Sequence, residues 1–117
     1  MDATALAVDV LSAAMPDGVR VSSEIPPERP DRMVMVSRLG GSETEFLDLP
    51  RMQLVCWGRT DTEASSIATT AVHALADAAK THELLSDSTL DVLSRDEWAG
   101  DGTARYVATV NLTINKE

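Results

Sequence analysis

The sequence predicts an α+β domain, a mostly antiparallel sheet of four to five strands with two helices packed on one face, in the order α-β-β-β-α-β-β. Three observations carry this prediction. Residues 2–14 and 61–80 repeat apolar side chains at helical spacing. Residues 105–114 alternate apolar and polar side chains with a period of two. Residues 33–38 and 51–57 are short apolar runs rich in Val and Met, set off by proline or glycine, as strands are.

In chain order, Asp2 is placed to cap the first helix, and Pro16-Asp17-Gly18 stops it. Its stripe of Ala3, Leu6, Ala7, Val10, Leu11 and Ala14 is thin, so it suits a helix that covers a sheet. Val19, Val21 and Ser23 suggest a short strand. Pro26, Pro27 and Pro30 then favour an extended loop, because proline removes ladder donors. After the strand at 33–38, Gly40-Gly41-Ser42-Glu43-Thr44-Glu45 reads as a flexible acidic connection. Residues 51–57 give the strongest strand signal in the chain. Thr60 and Glu63 then have capping-box spacing, with Asp61 as a competing cap. The second helix places Ala64, Ile67, Ala68, Ala71, Val72 and Leu75 on one face and His73, Asp77 and Lys80 on the other. A loop around 82–87, a strand at 90–95, a turn at 96–103 and the strand at 105–114 complete the chain, as a single domain of 117 residues.

The last strand has a polar face, apart from Val107, whereas the middle strands are apolar on both faces. Met33 and Met35 oppose Val34 and Val36, and Met52, Leu54 and Cys56 oppose Val55 and Trp57. Two small helices cover one face of such a sheet. The other face, or the long hairpin carrying it, is expected to pack on another subunit, unless the loops at 24–32 and 39–50 fold back over it.

Composition narrows the function classes. Aromatics are limited to Phe46, Trp57, Trp98 and Tyr106, so the core is aliphatic. Nineteen acids oppose ten bases, a formal charge of -9 that is spread over both halves of the chain. No basic excess exists to displace counterions from a phosphate backbone, which argues against simple nucleic-acid binding. The lone Cys56 forms no internal disulfide and is expected to be a buried small hydrophobe in a reducing compartment. The acidic, leaderless start and the lack of a long apolar run predict a protein that is neither secreted nor membrane-bound.

Signals for chemistry are sparse. His73 and Asp77 share a helix face at i, i+4, but no nucleophile accompanies them, and His82 lies just past the helix end, where a cation favours the dipole. The histidines have no metal-ligand spacing, Asp96, Glu97 and Asp101 do not match a calcium loop, and Gly40-Gly41 is not followed by the Lys-Ser/Thr of a phosphate loop. No catalytic residue, metal site or cofactor is expected.

One stretch resembles a known family. Arg51-Met52-Gln53-Leu54-Val55-Cys56-Trp57-Gly58, followed by Thr60-Asp61-Thr62-Glu63-Ala64 and an Ala-rich helix, is similar to the tail terminator proteins of long-tailed, non-contractile phages, the lambda-terminator-like family. An apolar strand with a polar second position ends in Trp-Gly, and a short polar cap and a Glu-Ala helix start follow. The N-terminal helix, the long central hairpin and the closing Val- and Thr-rich strand agree in layout. The resemblance implies a structural virion protein, not an enzyme. It would form a homo-oligomeric ring, a hexamer, on the last ring of the tail tube, stop tube polymerisation and present the joint to the head. The implied partners are the major tail tube protein and a head or neck connector. DNA would pass through the lumen without specific binding, helped by the acidic surface. The place of work would be the host cytoplasm during assembly and then the virion tail. The candidate subunit or tube interface residues are Met33, Met35, Val55, Trp57, Phe46, Leu47, Glu43 and Glu45. The alternatives are a neck or head-completion connector, and a small dimeric α+β enzyme or ligand-binding domain built around His73, Asp77 and His82.

Overall fold

A computed structural model describes residues 2–97 and 101–117. Asp2 accepts a hydrogen bond from the Thr4 amide and starts α1 (Ala3–Ala14). The chain continues through β1 (Arg20–Ser22), β2 (Met33–Glu43), β3 (Leu47–Trp57), α2 (Asp61–Ala78), β4 (Leu85–Glu97) and β5 (Ala104–Asn115). The expected element order is therefore observed, with five strands in one sheet, ordered β1-β2-β3-β5-β4. Only β1 and β2 run parallel, and the other three pairings are antiparallel.

Both helices lie on one face of the sheet. There α1 rests over β1 and β2, and α2 spans β3, β5 and β4. The main core lies between these layers, with Leu6, Ala7 and Leu11 from α1 and Ala64, Ala68, Ala71 and Leu75 from α2. They meet Val34, Val36, Met52, Leu54, Cys56, Ala108 and Val110 from the sheet. The alanine face lets the α2 backbone approach the sheet closely. All side chains in this core are apolar, and among the described residues no polar or charged residue is buried.

The opposite face is not bare where the middle strands are apolar. Met33, Val55 and Trp57 form a second core there, joined by Met35, Val107 and, from the loop at 23–32, Ile25. Val107, the one apolar residue on the polar side of β5, is explained by this contact. Of the two coverings the sequence allows, the loop at 24–32 supplies one, while the segment at 39–50 belongs instead to the sheet.

The strands are longer than their apolar runs. Residues 40–43, expected as a flexible connection, continue β2 as far as Glu43, and the hairpin turns at residues 44–46. A bulge between Arg38 and Gly40 admits this continuation. Gly41 has a φ of 111°, and a Cβ there would lie 2.1 Å from the Leu49 carbonyl oxygen, so the strand pair closes only around glycine. Pro50 is tolerated inside β3 because it falls in a gap of the β3–β5 ladder, between the Asp48–Ile114 and Arg51–Asn111 pairs. Similarly, β4 begins at Leu85 rather than Leu90, which shortens the expected loop. Trp98 and Gly100 of the expected turn lie outside the described residues.

Candidate functional site

The unit that carries the family resemblance folds as one piece. Strand β3 ends at Trp57, the chain crosses Gly58, and α2 begins at Asp61. The Thr60 hydroxyl accepts from the Glu63 amide at 3.1 Å, and the Glu63 carboxylate accepts from the Arg59 amide at 2.7 Å. The Glu63 side chain thus reaches one residue beyond the partner expected of a capping box. Gly58 is required for packing, because a Cβ there would lie 2.5 Å from the Ala64 nitrogen. A residue with a side chain at position 58 would push the first turn of α2 off the end of β3.

Trp57 is fully buried beneath two guanidinium groups, with Arg29 at 5.2 Å and Arg105 at 5.6 Å from the ring centroid. Arg105 is fixed in turn by Asp96 at 2.8 Å, and Arg29 by Asp101 at 3.3 Å. Hydrogen bonding to Arg105 holds the Asp96 carboxyl below its usual range. Bonding to Thr103, and secondarily to Arg29, does the same for Asp101. Arg95 joins β4 to the start of α2 through Asp61 at 2.7 Å, and Tyr106 donates to the same carboxylate at 3.4 Å. The hydrogen bond and charge of Asp61 raise the Arg95 pKa.

The eight candidate interface residues fall into two groups at opposite ends of the β2–β3 hairpin. Met33, Val55 and Trp57 are buried and Met35 is half-buried, all within the second core of the chain itself, so these side chains offer little free surface. The other four cluster at the hairpin tip. Phe46 is 72% exposed, Glu45 is exposed, and half-buried Leu47 pairs with Asn115 of β5. Glu43 holds the Lys116 ammonium at 2.9 Å, which ties the chain end to the tip.

Sequence reasoning did not single out Leu39, Leu90, Val92 and Leu93 as surface groups, yet each is substantially exposed. As letters they are ordinary strand residues. Their exposure follows from their place on the flanks of the sheet, a property of topology that periodicity does not carry.

The groups considered for chemistry are placed as follows. His73 and Asp77 border an open groove of about 610 Å³ between α1 and α2, floored by Val10, Ala14, Ala74 and Ala78. Asp77 pairs with Lys80 at 3.3 Å. The His82 Nδ1 accepts from the amides of Leu84 at 3.0 Å and Leu85 at 3.1 Å, so this ring secures the start of β4. Cys56 is buried, and burial pushes its thiol pKa up to about 12. Among the described residues no group of three His, Cys, Asp or Glu side chains is arranged to hold a metal ion. Among the described residues no helix is long and apolar enough to cross a membrane. No family model matches the chain, and no match to a characterised protein is significant.

Proposed function

We propose that this protein is a phage tail terminator, a structural component that caps the tail tube as a ring and forms the tail side of the joint to the head. The observation that carries the reading is the unit at residues 51–64. Its apolar strand, Trp-Gly junction and capped Ala-rich helix resemble the terminator family in sequence, and each part has a fitting physical role. Trp57 closes the end of the sheet, Gly58 lets the helix start against it, and Thr60 and Glu63 cap that helix.

The charge distribution supports the same reading. Among the described residues at least eight of the ten basic side chains have a carboxylate partner within the chain: Arg29, Arg38, Arg51, Arg59, Lys80, Arg95, Arg105 and Lys116. The cations are engaged internally, and the acidic excess is left toward solvent. Such a surface repels DNA, which suits a wall that DNA passes and not one that holds it. The hairpin tip, with exposed Glu45 and Phe46, is the surface assigned to the tail tube.

The test is a tube-growth assay with purified major tail tube protein. Added chain is expected to stop elongation and to sediment with tubes, and in infected cells it is expected to co-purify with tails. Co-purification with heads alone would move the assignment to a neck or head-completion connector. Unchanged tube growth, with loss of biological function in the His73→Ala and His82→Ala variants, would favour an enzyme or ligand-binding domain.

A further inference from the structure

Residues 23–32 connect β1 to β2, and because these strands are parallel the chain must return between them. The return is longer than this topology needs. Ser22 pairs with Met35, two residues past the start of β2, so the two strand ends lie about 8 Å apart by strand geometry. The connecting residues, 23–32, could span about 33 Å when extended. The surplus length lies over the second core, where Ile25 packs against the cluster of Met33, Val55 and Trp57.

Side chains, not backbone, attach this cover. Pro26, Pro27 and Pro30 have no amide donor. Arg29 aside, no backbone–backbone hydrogen bond joins residues 23–31 to another element among the described residues. Ile25 is half-buried, and Asp31 meets Arg59 at 3.7 Å with both side chains exposed. Arg29 is the firmest attachment. Its side chain is 13% exposed, lies 5.2 Å from the Trp57 ring centroid and reaches Asp101 at 3.3 Å. Asp101 is set for this contact, because it also accepts from the Thr103 amide at 2.8 Å. The second cation on Trp57, Arg105, belongs to β5 and is fixed by Asp96, so it does not depend on the cover. A segment with few buried apolar contacts and no backbone ties to its neighbours belongs to the low end of local stability.

We infer that residues 23–32 form a strap, latched by Arg29, that lifts from the face of the sheet while the strands and the helix layer stay folded. Its ends are held in the β1–β2 ladder, so it bows outward without unzipping the strands. The main core lies on the other face and holds the fold together without it. Lifting uncovers Met33, Met35, Val55 and Trp57, the interface candidates that the closed chain hides. The strap is an internal cover on an apolar face, and it stands whether or not the protein caps a tail tube.

Methionine oxidation tests this device, because Met33 beneath the strap and Met52 in the main core are both fully buried. Dilute hydrogen peroxide is added to the native protein, and oxidation at each position is followed by peptide mass spectrometry. Met33 is expected to oxidise several-fold faster than Met52, since lifting exposes the first and only global unfolding exposes the second. Arg29→Ala is expected to raise the ratio of the two rates several-fold further. Asp101→Asn keeps an acceptor for the Thr103 amide and removes only the charge, so it is expected to raise the ratio by less, and it serves where Arg29→Ala does not fold. Equal rates for the two methionines in the unmodified chain would overturn the strap. A ratio that both substitutions leave unchanged would overturn Arg29 as its latch.

Discussion

Trp57 shows how a single side chain changes meaning between sequence and structure. The sequence marks it as the largest apolar group at the end of the strongest strand, and its place on the second face of a two-sided strand suggests a subunit contact. The structure buries it completely inside the chain. The cover comes from Ile25 and Arg29, about 30 residues earlier, and from Arg105, 48 residues later, on elements that local periodicity does not connect to it. Trp57→Ala is expected to cost about 3–5 kcal/mol in denaturant unfolding, the range for a fully buried aromatic. Phe46→Ala, at the exposed tip, is expected to change stability by less than about 0.5 kcal/mol. Cys56 was legible from its neighbours, since an apolar strand position without a cationic partner predicts an inert thiol. It is expected to resist thiol reagents in the native protein and to react once the chain unfolds. Its folded pKa is raised, so the unfolded chain loses the thiol proton first. Its contribution to stability is present below pH 9.0 and is lost as pH rises toward about 12.

At the scale of elements, the helices were the most legible parts. Asp2 and the Thr60–Glu63 spacing marked both helix starts, and the apolar stripes named most of the helix residues of the main core, although Ala14 is exposed and Val10 and Val72 are only partly buried. Thr60→Ala removes the acceptor for the Glu63 amide, and a loss of about 1 kcal/mol in unfolding free energy is expected. Gly58→Ala forces a Cβ against the α2 backbone, and a larger cost of about 1–3 kcal/mol is expected because backbone cannot move aside as a side chain tip can. Circular dichroism melts of the two variants rank them directly. The hairpin was less legible. Gly40-Gly41 signals a loop by local propensity, yet here the pair serves a bulge and a close backbone approach inside a strand. Pro50 signals a strand boundary, yet it occupies the gap where the ladder to β5 is open. In both places a long-range strand pairing overrides the local preference of the residue.

For the whole molecule, composition stated the sign of the surface, and the structure explains why that sign reaches solvent. The basic side chains are drawn into pairs with carboxylates of the same chain, while the apolar exposure gathers at the hairpin tip and at two opposite sheet edges. The fold class and element order could be read from pattern. The exposed edges could not, because they depend on which strands finish adjacent. Two consequences follow at this scale. The folded carboxyls of Asp96 and Asp101 titrate below their usual range, so their pairing supports the fold above the ordinary carboxylate pKa and is lost as pH falls through their lowered values. The unfolding midpoint is therefore expected to drop on acidification, modestly, because both groups are exposed. Duplex DNA in a gel-shift titration at low salt is expected to run unretarded, since no basic patch offers counterion release.

The most direct measurement is electron microscopy of the purified protein mixed with tail tubes. The account predicts rings seated on one end of each tube and tubes that grow no further. A chain that stays monomeric, forms no ring and leaves both tube ends bare at every concentration would contradict it.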